Sequence, residues 1–250
     1  MFFTTVFSAA VILAGCGTAT ATDDETPEED RPPSARLELT SAAAEAMDAR
    51  YSAEYEWSGG GNVTVDLAED GTWMVGVEDW ALGGEADVWI AWTTGGFYQC
   101  VDEPEEQCVK IAAITGEIPE DLDPKVQLPF VRWLPRLADQ HAPFQVAWDD
   151  GCFVLNRTTV VVDTPVPEGS WCFDGEGAIE SVDVKDAGTL TLVGEKSEAP
   201  ETVELPGQIV DGDPAGKEKP EEDEEEKKDD ESGEAEDGEE AGDAASESEG

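Results

Sequence analysis

Histidine is all but missing from this chain: His141 stands alone among 250 residues. Basic side chains are scarce too, with 14 Lys and Arg against 60 Asp and Glu and a formal net charge of −46. A chain so poor in positive charge lacks the basic stripe that phosphate backbones need, which excludes nucleic-acid binding. It also lacks a long apolar run at its start. Residues 1–15, "MFFTTVFSAAVILAG", are uncharged and mostly apolar. They fall short of the roughly 20 apolar residues a spanning helix requires. No G-x-S-x-G, H-E-x-x-H, P-loop or dinucleotide fingerprint occurs. Carboxylates are so abundant that nothing selects one pair as acid and base. C-x-x-C is absent, and no two cysteines have the close spacing of zinc ligands beside His141. His141 itself, at a predicted helix end before "APF", reads as a local cap partner. The sequence therefore predicts no enzyme, no catalytic residue, no metal and no cofactor.

What is present begins with that short apolar segment, which has the length and small-residue ending of a secretory signal peptide. It closes on "LAGC", Leu13 to Cys16. This tetrad resembles the lipobox of bacterial lipoproteins, and the resemblance implies that the Cys16 thiol carries a diacylglyceryl group. Two acyl chains give stable attachment where one gives only marginal binding. The expected location is thus the outer face of the cell membrane, held by the lipid anchor. The following "GTATATDDETPEEDRPPS" is polar and Pro-rich, a disordered tether.

Composition divides the chain into a signal peptide at 1–15, a tether at 16–34, one globular domain at 35–207 and an acidic disordered tail at 208–250. The last forty residues hold 20 acidic and 4 basic side chains, leaving 40 and 10 for the rest. The folded part is therefore acidic in its own right, a surface whose self-repulsion salt relieves. The tail shows no EF-hand register and reads as a solubilising brush.

Within the domain, Ser34 or Ser41 is placed to cap a helix from about Ala35 to Arg50. Its expected apolar stripe is Leu37, Leu39, Ala43, Met47 and Tyr51. "NVTVDLA" and "TWMVGV" alternate as strands around an "EDG" turn, and "TTGG" joins "ADVWIAW" to "GFYQCV" as a hairpin. In the segment 114–143, Asp123 before Pro124 reads as an N-cap. Val126, Phe130, Leu134, Leu137 and Ala138 share one helical face, broken by Pro129 and Pro135 into two short pieces. Further strands follow at "FQVAW", "GCFVLNRTTVVV", "GSWCFD", "AIESVDV" and "TLTLVG", and "APETVELPG" closes the domain as an edge segment.

Setting Cys16 aside leaves four cysteines, which allow three pairings. Spacing favours Cys100 with Cys108 and Cys152 with Cys172, as structural staples across neighbouring strands. "VWIAW" is apolar on both faces and so needs cover on both. Trp73, Val75, Val88, Ile90 and Trp92 are candidates to line an apolar cleft, with Phe130 and Leu134 from the helical segment.

One helix, a run of strands, a helical insertion and a second run of strands resemble the layout of the LolA-like superfamily, in particular LppX/LprG-type actinobacterial lipoproteins. The resemblance rests on the lipobox, the first helix into "AEYEWS", the "VWIAWTTGGFYQCV" hairpin and "GSWCFDGEGAIESVDV". It implies an α+β fold: a strongly curved antiparallel sheet, or half-barrel, with the N-terminal helix and the helical insertion packed on its concave face. It further implies a monomer that binds a lipid or glycolipid without covalent chemistry. The alternative is a tethered interaction or sensor domain with a filled core and no ligand.

Overall fold

The computed structural model describes residues 34–158, 164–185 and 187–218. The signal peptide, Cys16, all of the tether but Ser34, and the tail beyond 218 lie outside the described residues.

Ser34 caps the first helix, its side chain accepting from the Leu37 amide at 3.3 Å. Helix α1, Ala35–Asp48, turns Leu39, Ala43 and Ala46 inward, positions that fall on one face at helical spacing. Leu37 and Met47, expected in that stripe, are instead exposed. Tyr51 has left the helix, because Ala49 already adopts an extended backbone. The helix is also held by Arg36, whose guanidinium lies 4.1 Å over the Phe144 ring. It donates to the carbonyl oxygens of Ala142, at 3.2 Å, and Phe144.

Two antiparallel meanders follow. The first is β1 (Tyr51–Trp57), β2 (Asn62–Leu67), β3 (Trp73–Ala81), β4 (Ala86–Thr93), β5 (Gly96–Val101) and β6 (Gln107–Ala112). The second is β7 (Phe144–Asp149), β8 (Cys152–Arg157), β9 (Gly169–Phe173), β10 (Ile179–Val184) and β11 (Gly188–Ser197). Pairing of β1 with β11 fuses them into one sheet, which a short β12 (Gln208–Val210) extends beside β6, the only parallel pair among the described residues. The order is β12-β6-β5-β4-β3-β2-β1-β11-β10-β9-β8-β7. This is a sheet-dominated α+β fold whose single sheet is curved and does not close. Register shifts in the β1–β11, β3–β4, β5–β6 and β9–β10 pairs mark bulges or irregularities of the kind that bend and twist strands.

Opposite residues of antiparallel neighbours project to the same face. One face therefore carries Tyr51, Leu67, Trp73, Trp92 and Phe97 as its end rung. The next rung is Val65, Val75, Ile90 and Gln99, and the one after is Tyr55, Val63, Val77, Val88 and Val101. This is the core face, and most of these side chains join a single hydrophobic cluster with Leu39, Phe130, Leu134 and Leu137. On the opposite face Trp89 lies across Gly76, where a Cβ would come within 2.5 Å of the indole nitrogen. The two staples form as expected. Cys100 faces Cys108 with Cα atoms 4.0 Å apart, and Cys152 is bonded to Cys172 at 4.4 Å.

The insertion between the meanders is a 3-10 turn (Glu120–Leu122), α2 (Leu128–Val131) and α3 (Leu134–Leu137). Pro129 and Pro135 sit in the first turn of α2 and α3, where a proline begins a helix but cannot continue an earlier one. Asp123 does not cap a helix. Its Oδ1 closes a local turn, accepting from the Lys125 amide at 2.8 Å and from Gln127 Nε2 at 2.6 Å. Phe130 meets Tyr55 at 5.1 Å between ring centroids, and Trp133 meets Trp171 edge-on at 6.0 Å. Those contacts fasten the insertion to the sheet.

The expected domain boundary at 207 moves. After β11 the chain runs along the β2–β3 turn, where the Glu69 and Asp70 amides donate to Pro200 and Glu201. Then β12 pairs with Gln107, Cys108 and Val109. Beyond it Ala215 exchanges two hydrogen bonds of 2.8 Å with the buried Gln99 amide, and the Leu82 and Gly83 amides donate to Gly216 and Lys217. Backbone makes these contacts while Asp211 and Asp213 stay exposed, so an acidic composition does not prevent docking.

Candidate functional site

At the end of the core face, the first rung and the helical insertion do not meet completely. A cleft of about 540 Å³ remains between them. Leu67, Trp73, Trp92 and Phe97 of the end rung form one wall, and Leu128, Phe130, Val131 and Leu134 form the other. The end of α1 contributes Ala46 and Met47. The exposure of Met47 is thereby explained, because it stands on the cleft and not in the core.

Of the seven residues expected to line a cleft, the structure brings four together there: Trp73, Trp92, Phe130 and Leu134. Val75, Ile90 and Val88 lie on the same face of the sheet but are not on the wall. Val75 and Ile90 sit one rung deeper and Val88 two, all completely or almost completely buried. The cause is that packed side chains fill the core face beyond its end rung. Phe97 was legible without a structure, since the "TTGG" turn sets it opposite Trp92. Gln127, Arg50 and Met47 were not, because no periodicity marks a polar residue before a four-residue helix, a basic residue just past the end of α1 or an exposed residue within it.

Polar and charged residues also line the cleft, among them Arg50, Thr72, Thr115, Glu117, Asp123, Gln127 and Arg132. Arg50 donates to the carbonyls of Met47, at 3.0 Å, and Ala49, at 2.7 Å. Arg132 pairs with Glu117 at 3.3 Å, both side chains largely in solvent. Gln127 is 1% exposed, and its Oε1 has no hydrogen-bond partner among the described residues. Next to the cleft, and sharing Leu128 and Arg132 with it, lies a more polar hollow bordered by Lys125, Arg157 and Lys185. Lys125 and Arg157 there pair with Glu120 and Glu168, each at 3.5 Å. His141 is solvent-facing after α3, with its amide on Asp139 Oδ1 at 2.9 Å. Among the described residues no three potential metal ligands converge.

Behind the cleft, Tyr55 donates to the Ile179 carbonyl at 2.8 Å and lies 3.3 Å from the Tyr51 hydroxyl. Burial pushes both phenols above their ordinary range, so they remain neutral hydrogen-bonding groups of the core. The arrangement as a whole offers aromatic and aliphatic contact with polar groups among it, including the Thr72 hydroxyl, which donates to the Asp70 carboxylate at 2.6 Å. No protein-family model and no curated protein matches the chain, so its function is read from this geometry.

Proposed function

We propose that this protein is a lipid-anchored, extracytoplasmic binding protein that holds the acyl part of a lipid or other amphiphile in the cleft, without covalent chemistry. The observation that carries this is the open apolar cleft of about 540 Å³ between the end rung and the insertion. That volume lies within the roughly 300–1,000 Å³ of small-molecule sites, which are concave, mostly apolar and sparingly polar. In this proposal the core face is the concave face of a LolA-like half-barrel, the helices cover most of it, and the uncovered end admits the ligand. Each buried methylene would contribute about 0.8 kcal/mol to binding. The two acyl chains expected on Cys16 hold the monomer to the membrane from which its ligand comes.

A tethered interaction domain is the second reading, and one observation favours it. Val75, Val88 and Ile90 are packed solid, so most of the core face holds no guest. Native mass spectrometry of the Cys16→Ala chain, purified from cell envelopes, separates the two. The expected result is a co-purifying lipid that leaves on denaturation. Repeated absence of any adduct overturns the binding function and leaves the interaction domain.

A further inference from the structure

We infer that the amphiphile taken by this cleft carries a hydrogen-bond donor beside its acyl chain, a hydroxyl or an amide N–H, and that Gln127 Oε1 accepts it. The inference rests on the cleft being an amphiphile site.

Gln127 belongs to the cleft wall, immediately before the α2 residues that supply much of its apolar surface. Its side chain is held by the bond from Nε2 to Asp123 Oδ1 at 2.6 Å, and Asp123 Oδ1 is itself fixed by the Lys125 amide. That bond decides which way the amide points. Turning the group over would set its oxygen against a carboxylate oxygen, so the nitrogen faces Asp123 and the oxygen is left without a donor. Buried acceptors are almost always satisfied, and an exception calls for a reason. The neighbouring polar groups do not supply one. Arg50 donates to the Met47 and Ala49 carbonyls, and Arg132 is engaged with Glu117 at the exposed side of the cleft.

A ligand made only of hydrocarbon would leave Oε1 unpaired and dry. A ligand with a hydroxyl or amide N–H at the head of its chain completes the bond while the chain lies along Trp73, Trp92 and Phe130. The cleft then discriminates by an atom as well as by length. Ethers and esters of the same size present only acceptors and gain nothing from Oε1.

Three probes of nearly equal size test this on the full-length Cys16→Ala chain: 1-decanol, decanamide, and nonyl methyl ether, an isomer of decanol. Tryptophan fluorescence reads the titration, since Trp73 and Trp92 stand on the wall. At least one of the two donor-bearing probes is expected to bind about tenfold tighter than the ether, the scale of one satisfied buried acceptor. The tighter of the two shows whether hydroxyl or amide is the natural source. Gln127→Met should bring all three within about twofold. An ether that binds the unsubstituted chain as tightly as both donors overturns the inference, whether or not Gln127→Met folds. A preference that survives Gln127→Met also overturns it, and both results leave the amphiphile site standing. Failure of all three probes to bind overturns the site and the inference together.

Discussion

The Asp174 carboxylate accepts from the Lys196 ammonium and from the Glu176 and Ala178 amides, each amide at 2.8 Å, while Lys196 also reaches Glu176 at 2.9 Å. Partial burial alone would raise the Asp174 pKa, but these donors outweigh it and hold the group below the ordinary aspartate value. Burial would likewise lower Lys196, and its two carboxylates hold it above the ordinary lysine value. The signs follow. The Asp174 contribution is complete above the unfolded aspartate pKa and is lost as pH falls through the depressed folded value. The Lys196 contribution is complete below the unfolded lysine pKa and is lost as pH rises through the raised one. Asp174→Asn should therefore cost about 1–2 kcal/mol at pH 7, read as a lower urea midpoint. The gap to the unsubstituted protein should close in acid below the usual aspartate range; a gap independent of pH would refute the linkage. None of this cluster was legible in the sequence. In a chain with 60 carboxylates, only the fold shows which one sits between a lysine and two amides.

Elements were more legible where their signals were local. The "EDG" and "TTGG" turns sit where glycine takes the positive φ a tight turn demands, at Gly71 (85°) and Gly96 (126°). The strands on either side then fall into register. Pro129 and Pro135 likewise predicted two short helical pieces. The local signals misled where tertiary packing decided. The inward face of α1 runs through Leu39, Ala43 and Ala46, while Leu37 and Met47 stay outside it. Residues 208–217 gave no sign of docking, since their hydrogen bonds are made by backbone. Cutting the chain after Gly207 removes β12 and strands the Gln99 amide, which is 2% exposed. Hydrogen exchange should speed up at Leu82 and Gly83, which lose their acceptors Gly216 and Lys217, while the β1–β2 ladder stays protected. Unchanged exchange at both sites would show that the segment does not pack there in solution.

Across the whole molecule, net charge is the dominant long-range term. With −46 charges on the chain and, among the described residues, only a few exposed ion pairs to offset them, compaction works against self-repulsion that salt screens. Raising potassium chloride from 0.05 to 2 M should increase the thermal midpoint by several degrees, and a flat or falling profile would refute that expectation. The acidity was plain in the sequence, whereas the joining of two meanders into one sheet was not, because no local pattern specifies that β1 pairs with β11. That seam brings Ser52 to Ser197, 145 residues away along the chain. Viewed in time and not in space, the seam imposes an order of events. Nearest-neighbour hairpins have what they need early in synthesis, but β1 keeps an unpaired edge until the last strand of the second meander is made. Contacts so distant in sequence are slow to form, and the first half of the sheet must wait for the second.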